Sequence, residues 1–205
     1  MVLEMSEETV TNDLADYDIL LGVTGGIAAY KSAMLCSLLV RQGAGVTVVM
    51  TEHARHFVGP LTFSTLSGRE VYSDLFTAES IHDARHISLT ERADLIVVAP
   101  ATANIIAKMA AGICDDLLST ILTGADSDIL LAPAMNERLW QNKATQRNIK
   151  TLLDWSCQMI GPATGRLACG DEGRGRMSEP QDILERISEL LSDQKPKQSR
   201  QGRNL

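Results

Sequence analysis

The sequence predicts a doubly wound α/β domain, a parallel sheet with helices on both faces, and three observations carry that expectation. Four near-continuous apolar runs of strand length recur along the chain, as strands covered on both faces should. Stretches with helical apolar spacing separate them, the alternation that gives βαβ units. The unusual residues fall where those runs end: TGG after the first, TEH after the second, APATAN after the third and APAMN after the fourth. Loops at the carboxyl ends of strands are where such sheets bind ligands.

Taken in order, residues 1–16 are acidic and polar and are expected to be a disordered lead. YDILLGVTGG is a strand stopped by glycines, and IAAYKSAMLCSLLVRQG is a helix that ends at Gly43. GVTVVMT (45–51) is the second strand, closing a first βαβ unit. ADLIVVAPA (93–101) and SDILLAPA (127–134) are further strands, with helical stretches ANIIAKMAAGI and around DDLLSTIL between them. A short strand near CQMIG (157–161) and an amphipathic helix, PQDILERISELLSD (180–193), complete one domain over residues 17–193. The basic end, residues 194–205, lacks aromatics and periodicity and is expected to be solvated and disordered. No internal repeat or second domain is visible.

The 205 residues are 44% hydrophobic and 22% charged, which suits a globular core. A net charge of −7 argues against nucleic-acid partners, which need a concentrated basic surface. No apolar run approaches the ~18 residues of a membrane span. The acidic start is unlike a signal peptide, so a cytoplasmic place is expected. The four cysteines have no CxxC spacing and are expected to be free thiols.

GVTGGIAAYKS (22–32) is neither GxGxxG nor a P-loop, since Tyr30 stands where the latter needs glycine. It is a glycine turn onto a helix N-terminus, where free N–H groups favour an anion, or simply a tight turn. Thr51 adds a hydroxyl at the next strand end, and Glu52 could serve a ribose. In APATAN, Thr102 and Asn104 are either helix caps or a second wall around one ligand. Asn136 in APAMNERLW could cap a helix or hold a carboxylate through its amide.

His82 and His86 have the i,i+4 spacing of a metal pair but no third ligand, so no metal is expected; one histidine as a proton carrier suits them better. His53 and His56 read as surface or packing residues, and Cys36, Cys114 and Cys157 as small core residues. GRLACGDEGRGRM (165–177) reads as a glycine-rich surface loop able to fold over a substrate, with Cys169 as an unexplained thiol.

TGGIAAYK, the segment His86-Ile87-Ser88-Leu89 before ADLIVVAPATAN, PAMNERLW and GRLACGDEGRGRM together resemble the homo-oligomeric flavin-containing cysteine decarboxylase family, over about residues 18–192. The resemblance implies a flavodoxin-like or Rossmann-like sheet, bound FMN, and a homotrimer or a dodecamer of trimers with active sites at subunit interfaces. It places Gly25, Gly26, Ile27, Thr51, Thr102, Ala103 and Asn104 in the FMN site. It makes His86 and Cys169 catalytic, and it assigns Asn136, Met135, Ala168 and Gly170 to the substrate. Leu139 replaces a usual methionine, a near volume-conserving swap, and Ile105 replaces a common threonine, which removes one polar group beside the flavin.

The implied reaction is decarboxylation of 4′-phosphopantothenoylcysteine to 4′-phosphopantetheine in coenzyme A biosynthesis, with phosphopantothenoylcysteine synthetase as a partner, fused or separate. Loss of CO₂ from an N-acyl cysteine leaves an unstabilised carbanion, so the reaction needs an electron sink that the cofactor supplies. A peptidyl-cysteine decarboxylase acting on a precursor peptide is the nearest alternative; such relatives resemble this sequence less in the segment around Cys169. A prenyl-transferring flavin protein should lack PAMN and ACGDEG. A non-catalytic phosphatase-regulating relative would carry long acidic extensions, where this chain has a short acidic start.

Overall fold

A computed structural model describes residues 13–75, 85–166 and 172–197. Six parallel strands form one sheet in the order β3-β2-β1-β4-β5-β6. The strands are β1 (Asp18–Val23), β2 (Gly45–Met50), β3 (Val71–Tyr72), β4 (Leu95–Ala101), β5 (Asp128–Pro133) and β6 (Gln158–Met159). The four apolar runs are the four long strands. Their continuous apolarity follows from burial on both faces: Ile19, Leu21, Val23, Leu95, Val97 and Ala99 join one core, while Leu20, Ile96, Val98 and Ala101 join the other.

The first core is roofed by α1 (Ala29–Arg41), α2 (Pro60–Ser67) and α8 (Pro180–Ser192), through Leu35, Cys36, Leu39, Phe63, Ile183 and Ile187. On the opposite face lie α3 (Arg85–Arg92), α4 (Ala103–Ala111), α5 (Leu117–Thr123) and α7 (Lys143–Asp154), with the single turn α6 (Glu137–Trp140) leading into α7. Helices on both faces of a parallel sheet are the doubly wound architecture expected, and the order 3-2-1-4-5-6 is its Rossmann-like arrangement.

Three places differ from the sequence expectation. Leu14 is buried in the first core and its N–H bonds to the Gln42 carbonyl at 3.1 Å. At the other end Gln194 Nε2 donates to Asp128 Oδ2 at 2.6 Å and the Lys197 N–H to Asp94 Oδ1 at 2.5 Å. The packed chain thus runs a few residues beyond 17–193 at both ends, because isolated apolar and polar anchors in a charged segment leave no periodic signal. Third, the stretch 165–177 is not wholly a loop: β7 (Ala163–Arg166) and β8 (Glu172–Arg176) pair antiparallel as a separate two-stranded sheet. Cys114 also departs from expectation. It is exposed, because Gly112 ends α4 in the left-handed conformation and carries the chain away from the core.

Among the described residues, no helix is long and apolar enough to cross a membrane.

Candidate active site

The strand order reverses between β1 and β4, which opens a crevice at the carboxyl ends of the strands. A cavity of about 530 Å³ lies there. Thr24 and Gly25 line it from the exit of β1, and Thr51, Glu52, His53, His56 and Phe57 from the exit of β2. Thr102, Asn104, Ile105 and Lys108 come from the start of α4, and Asp115 and Asp116 from the approach to α5.

Each wall has a local cause. Gly25 sits where a Cβ would collide with His53 Cβ and stand 3.0 Å from the His53 carbonyl carbon, so only glycine lets the β1 exit touch the turn after β2. That turn is a short 3-10 segment, Glu52–His56, capped by Thr51 Oγ1, which accepts the Ala54 N–H at 3.3 Å. Thr102 caps α4 by accepting the Ile105 N–H at 3.5 Å. Thr24 Oγ1 binds the two exits together: it donates to the Pro100 carbonyl at 2.6 Å and accepts the Thr102 N–H at 3.3 Å. α1, by contrast, has no side-chain cap and no acid in its first turn. The Ala29 and Lys31 N–H groups donate to the Gly26 and Ala28 carbonyls at 2.9 Å, and the positive dipole end is suited to an anion.

The cavity's far side is charged. Lys108 Nζ donates to Asp115 at 2.6 Å and to Asp116 at 2.7 Å. Burial works against the charged forms of both Lys108 and Asp116. The hydrogen bonds win: Lys108 holds its proton more tightly than usual, and Asp116 lies below the ordinary carboxylate value, helped by Lys108 and by the Ser119 N–H.

Asn136 stands at the exit of β5 and caps α6, its Oδ1 accepting the Arg138 N–H at 2.8 Å. Of the two roles open to it, capping is met, and capping fixes the plane of its amide. β8 runs directly against this segment. The Met135 N–H donates to the Gly175 carbonyl at 2.9 Å, and the Arg174 N–H to Glu137 Oε1 at 3.3 Å. Gly173 and Gly175 are the buried members of β8's alternation, and a Cβ would overlap the Glu137 carboxylate at the first and the Met135 carbonyl at the second. Arg174, on the outer side, lies 5.4 Å from the Trp140 ring, a cation–π contact.

The structure thus gathers Gly25, Thr51, Thr102 and Asn104 on one cavity, with Gly26, Ile27 and Ala103 adjoining them in the chain. Asn136 and Met135 lie on the neighbouring exit and do not line that cavity. His86 is in the first turn of α3, its side chain outside the described atoms. Ala168, Cys169, Gly170 and His82 lie outside the described residues. Missed from sequence were His53 and His56 as cavity residues, together with Phe57, Lys108, Asp115 and Asp116. For the histidines a signal existed, since they follow Thr51 in the same strand exit. Ile105, by contrast, is 1% exposed and belongs mainly to the core beneath the cavity.

A model of the family described as "Flavoprotein" matches residues 7–192. The chain is 47% identical over 171 residues to the coenzyme A biosynthesis bifunctional protein CoaBC of Vibrio parahaemolyticus, covering 83% of this chain and 43% of that protein. It therefore spans less than half the length of that relative. Among solved structures, a PPC decarboxylase mutant complexed with pantothenoylaminoethenethiol is 34% identical, with a TM-score of 0.77, covering 87% of this chain and 100% of that one. The FMN binding protein AtHal3 is 33% identical, with a TM-score of 0.76, covering 88% and 99%. Joined by a family match along nearly its whole length and by full-length likeness to these structures, the chain belongs to the flavoprotein family.

Proposed function

We propose that this chain catalyses the FMN-dependent decarboxylation of 4′-phosphopantothenoylcysteine to 4′-phosphopantetheine. The observation that carries this reading is the convergence of Gly25, Thr51, Thr102 and Asn104 on one cavity at the reversal of strand order, with Asn136 on the next strand exit. The likeness to a PPC decarboxylase and to an FMN binding protein supplies the substrate class and the cofactor.

The residues present fit FMN. A Cβ at Gly25 has no room because the His53 turn packs against it, which draws the β1 and β2 exits together around the cavity. The uncapped start of α1 suits a phosphate, and about 530 Å³ accommodates a tricyclic ring with its ribityl chain. Gly25, Gly26, Ile27, Thr51, Thr102, Ala103 and Asn104 would hold it. When bound, FMN supplies reversible hydride acceptance from the carbon bearing sulfur, the electron sink that makes loss of CO₂ feasible.

The chain's own groups do the rest. Asn136 holds the substrate carboxylate with an amide whose plane its capping bond fixes. Met135 and the flanks Ala168 and Gly170 pack around the substrate. His86 positions the thiol and moves its proton during oxidation and decarboxylation, and Cys169 donates the proton that completes reduction to the saturated thiol. Electrons leave and return within one turnover, so the net change is replacement of the carboxyl group by hydrogen with release of CO₂.

The same reading carries a cytoplasmic place, a homotrimer or a dodecamer of trimers, and the synthetase that makes the substrate as a partner. Ile27, Tyr30 and Met34 support assembly: they are exposed apolar side chains at helical spacing around the start of α1. The deciding test is an absorption spectrum of the purified protein, then product mass after addition of 4′-phosphopantothenoylcysteine. Flavin bands and a saturated thiol are expected, and Cys169→Ser should release CO₂ but stop at the enethiol. A colourless protein that takes up no FMN, or turnover only on a peptide ending in cysteine, would refute the assignment.

A further inference from the structure

Lys31 is a buried cation that the proposed chemistry leaves unused. The residue is 5% exposed and sits in the first turn of α1, where the helix dipole opposes a positive charge. Burial there is costly unless the ammonium is fully paired. It is paired across 146 residues of sequence: Nζ donates to the Met177 carbonyl at 3.2 Å and to Glu179 Oε1 at 2.7 Å, just beyond the end of β8. The same oxygen accepts from Arg176 Nη2 at 3.0 Å. These hydrogen bonds, Lys31's first, hold the Glu179 carboxyl below its ordinary value against a smaller upward push from burial.

Ser32, the next residue, is fully buried and donates Oγ to the Ala99 carbonyl of β4 at 2.5 Å. One helical turn therefore grips two exits at once. Ser32 holds the strand that leads into Thr102 and Asn104, and Lys31 holds the segment that leads out of β8. That hairpin belongs to a separate two-stranded sheet and gains no hydrogen-bonded register from the main one. Its side contacts among the described residues include those of β8 with Met135 and Glu137 and of Arg174 with the Trp140 ring. At its end, Met177 is 1% exposed in the first core and Lys31 holds the backbone and carboxylate on either side of Ser178.

We propose that Lys31 is a positioning residue: by gripping Met177 and Glu179 it fixes the β7–β8 hairpin relative to the cofactor-side loop, so that substrate affinity depends on a lysine that does not line the cavity. The inference rests on the function proposed above. A lysine that only stabilises the core would affect all elements alike. A positioning lysine affects the hairpin and the substrate, and leaves the flavin cavity as it was.

The test is Lys31→Met, which keeps the stem and removes the charge. In the cofactor-free protein, amide exchange of residues 173–176 should quicken about tenfold, the scale of one lost charge-assisted hydrogen bond, with β1 and β4 unchanged. In the holoenzyme, KM for 4′-phosphopantothenoylcysteine should rise by a similar factor of about ten, while kcat and FMN affinity stay within about threefold. Lys31→Arg should restore both readouts, since a guanidinium can reach the same two acceptors. Wild-type exchange and KM in Lys31→Met would overturn the proposal. So would equal loosening of β1, β4 and β8 with a parallel loss of FMN affinity. Glu179→Gln, expected to act in the same direction, decides the matter if Lys31→Met does not fold. A wild-type protein that leaves the substrate untouched would defeat the proposed function, while the exchange measurement would still judge the grip on the hairpin.

Discussion

Replacing Gly25 by alanine should damage flavin binding through one steric contact. The added Cβ would overlap His53 Cβ and lie 3.0 Å from the His53 carbonyl carbon and 3.2 Å from its Cα. The last two belong to the backbone of the Glu52–His56 turn, whose start Thr51 caps, and the Cβ is fixed to that Cα, so none can rotate away. Overpacking of this kind costs about 1–3 kcal/mol. If the strain is relieved by shifting that cavity wall, FMN affinity falls by about 5- to 150-fold at roughly 1.4 kcal/mol per decade. Gly26→Ala is the control. Its Cβ would meet only Thr102 Cγ2 at 3.7 Å, an ordinary contact, so affinity should change by less than about threefold. Titrating cofactor-free protein into FMN and following quenching of flavin fluorescence measures both. Removing the colliding atom as well, in Gly25→Ala with His53→Gly, should recover part of the loss. Equal affinities for Gly25→Ala and wild type, or a greater loss for Gly26→Ala, would mean that this cavity does not hold the flavin.

The two buried glycines of β8 should differ in the same way. Gly175→Ala meets the Met135 backbone carbonyl and must push β8 off the Asn136 segment, raising substrate KM about tenfold or more, whereas Gly173→Ala meets only the movable end of Glu137 and should stay within about threefold. Steady-state kinetics on the pair separates them, and equal KM values would sink the argument. Asp116 gives a pH signature. Its folded value lies below the ordinary carboxylate value, so its stabilising contribution is complete above the unfolded value and is lost as pH falls through the folded one. Asp116→Asn should therefore melt below wild type at neutral pH, with the gap closing in acid below the ordinary carboxylate range. A gap that is constant with pH would show that the carboxylate charge is idle.

The sheet was legible because its cause is local. A strand buried on both faces must be apolar at nearly every position, and DILLGV, GVTVVM, LIVVAPA and DILLAP are. Of the edge strands, β6 lies where a short strand is expected near CQMIG, whereas β3 has no counterpart in the sequence expectation: it is two residues long, partly exposed, and too short to show a period. Strand exits could be located from the glycines and threonines that end each run, and because β2, β1 and β4 are parallel neighbours, Gly25, Thr51, Thr102 and Asn104 meet in one cavity. Lys108, Asp115 and Asp116 escaped notice because what brings them to the cavity is the fold of α4 onto α5 and an ion pair between them. His53 and His56 were discounted as residue types, although their position beside Thr51 already placed them at a strand exit.

GRLACGDEGRGRM holds the sharper lesson. Its glycines suggested freedom to open and close, yet those of its C-terminal half alternate with arginines, EGRGR, and β8 buries the glycines and exposes the rest. Period two is a strand signal, and a strand with one face stripped of side chains is built to lie against another backbone. What it lies against is the Met135–Glu137 segment, some 40 residues earlier in the chain, which no local pattern could reveal. Lifting β8 would require breaking the Met135–Gly175 and Arg174–Glu137 hydrogen bonds and detaching Met177 and Glu179 from Lys31. Gly173 and Gly175 therefore serve contact rather than mobility, and the strand that follows Cys169 in sequence is held against the asparagine proposed to bind the same substrate.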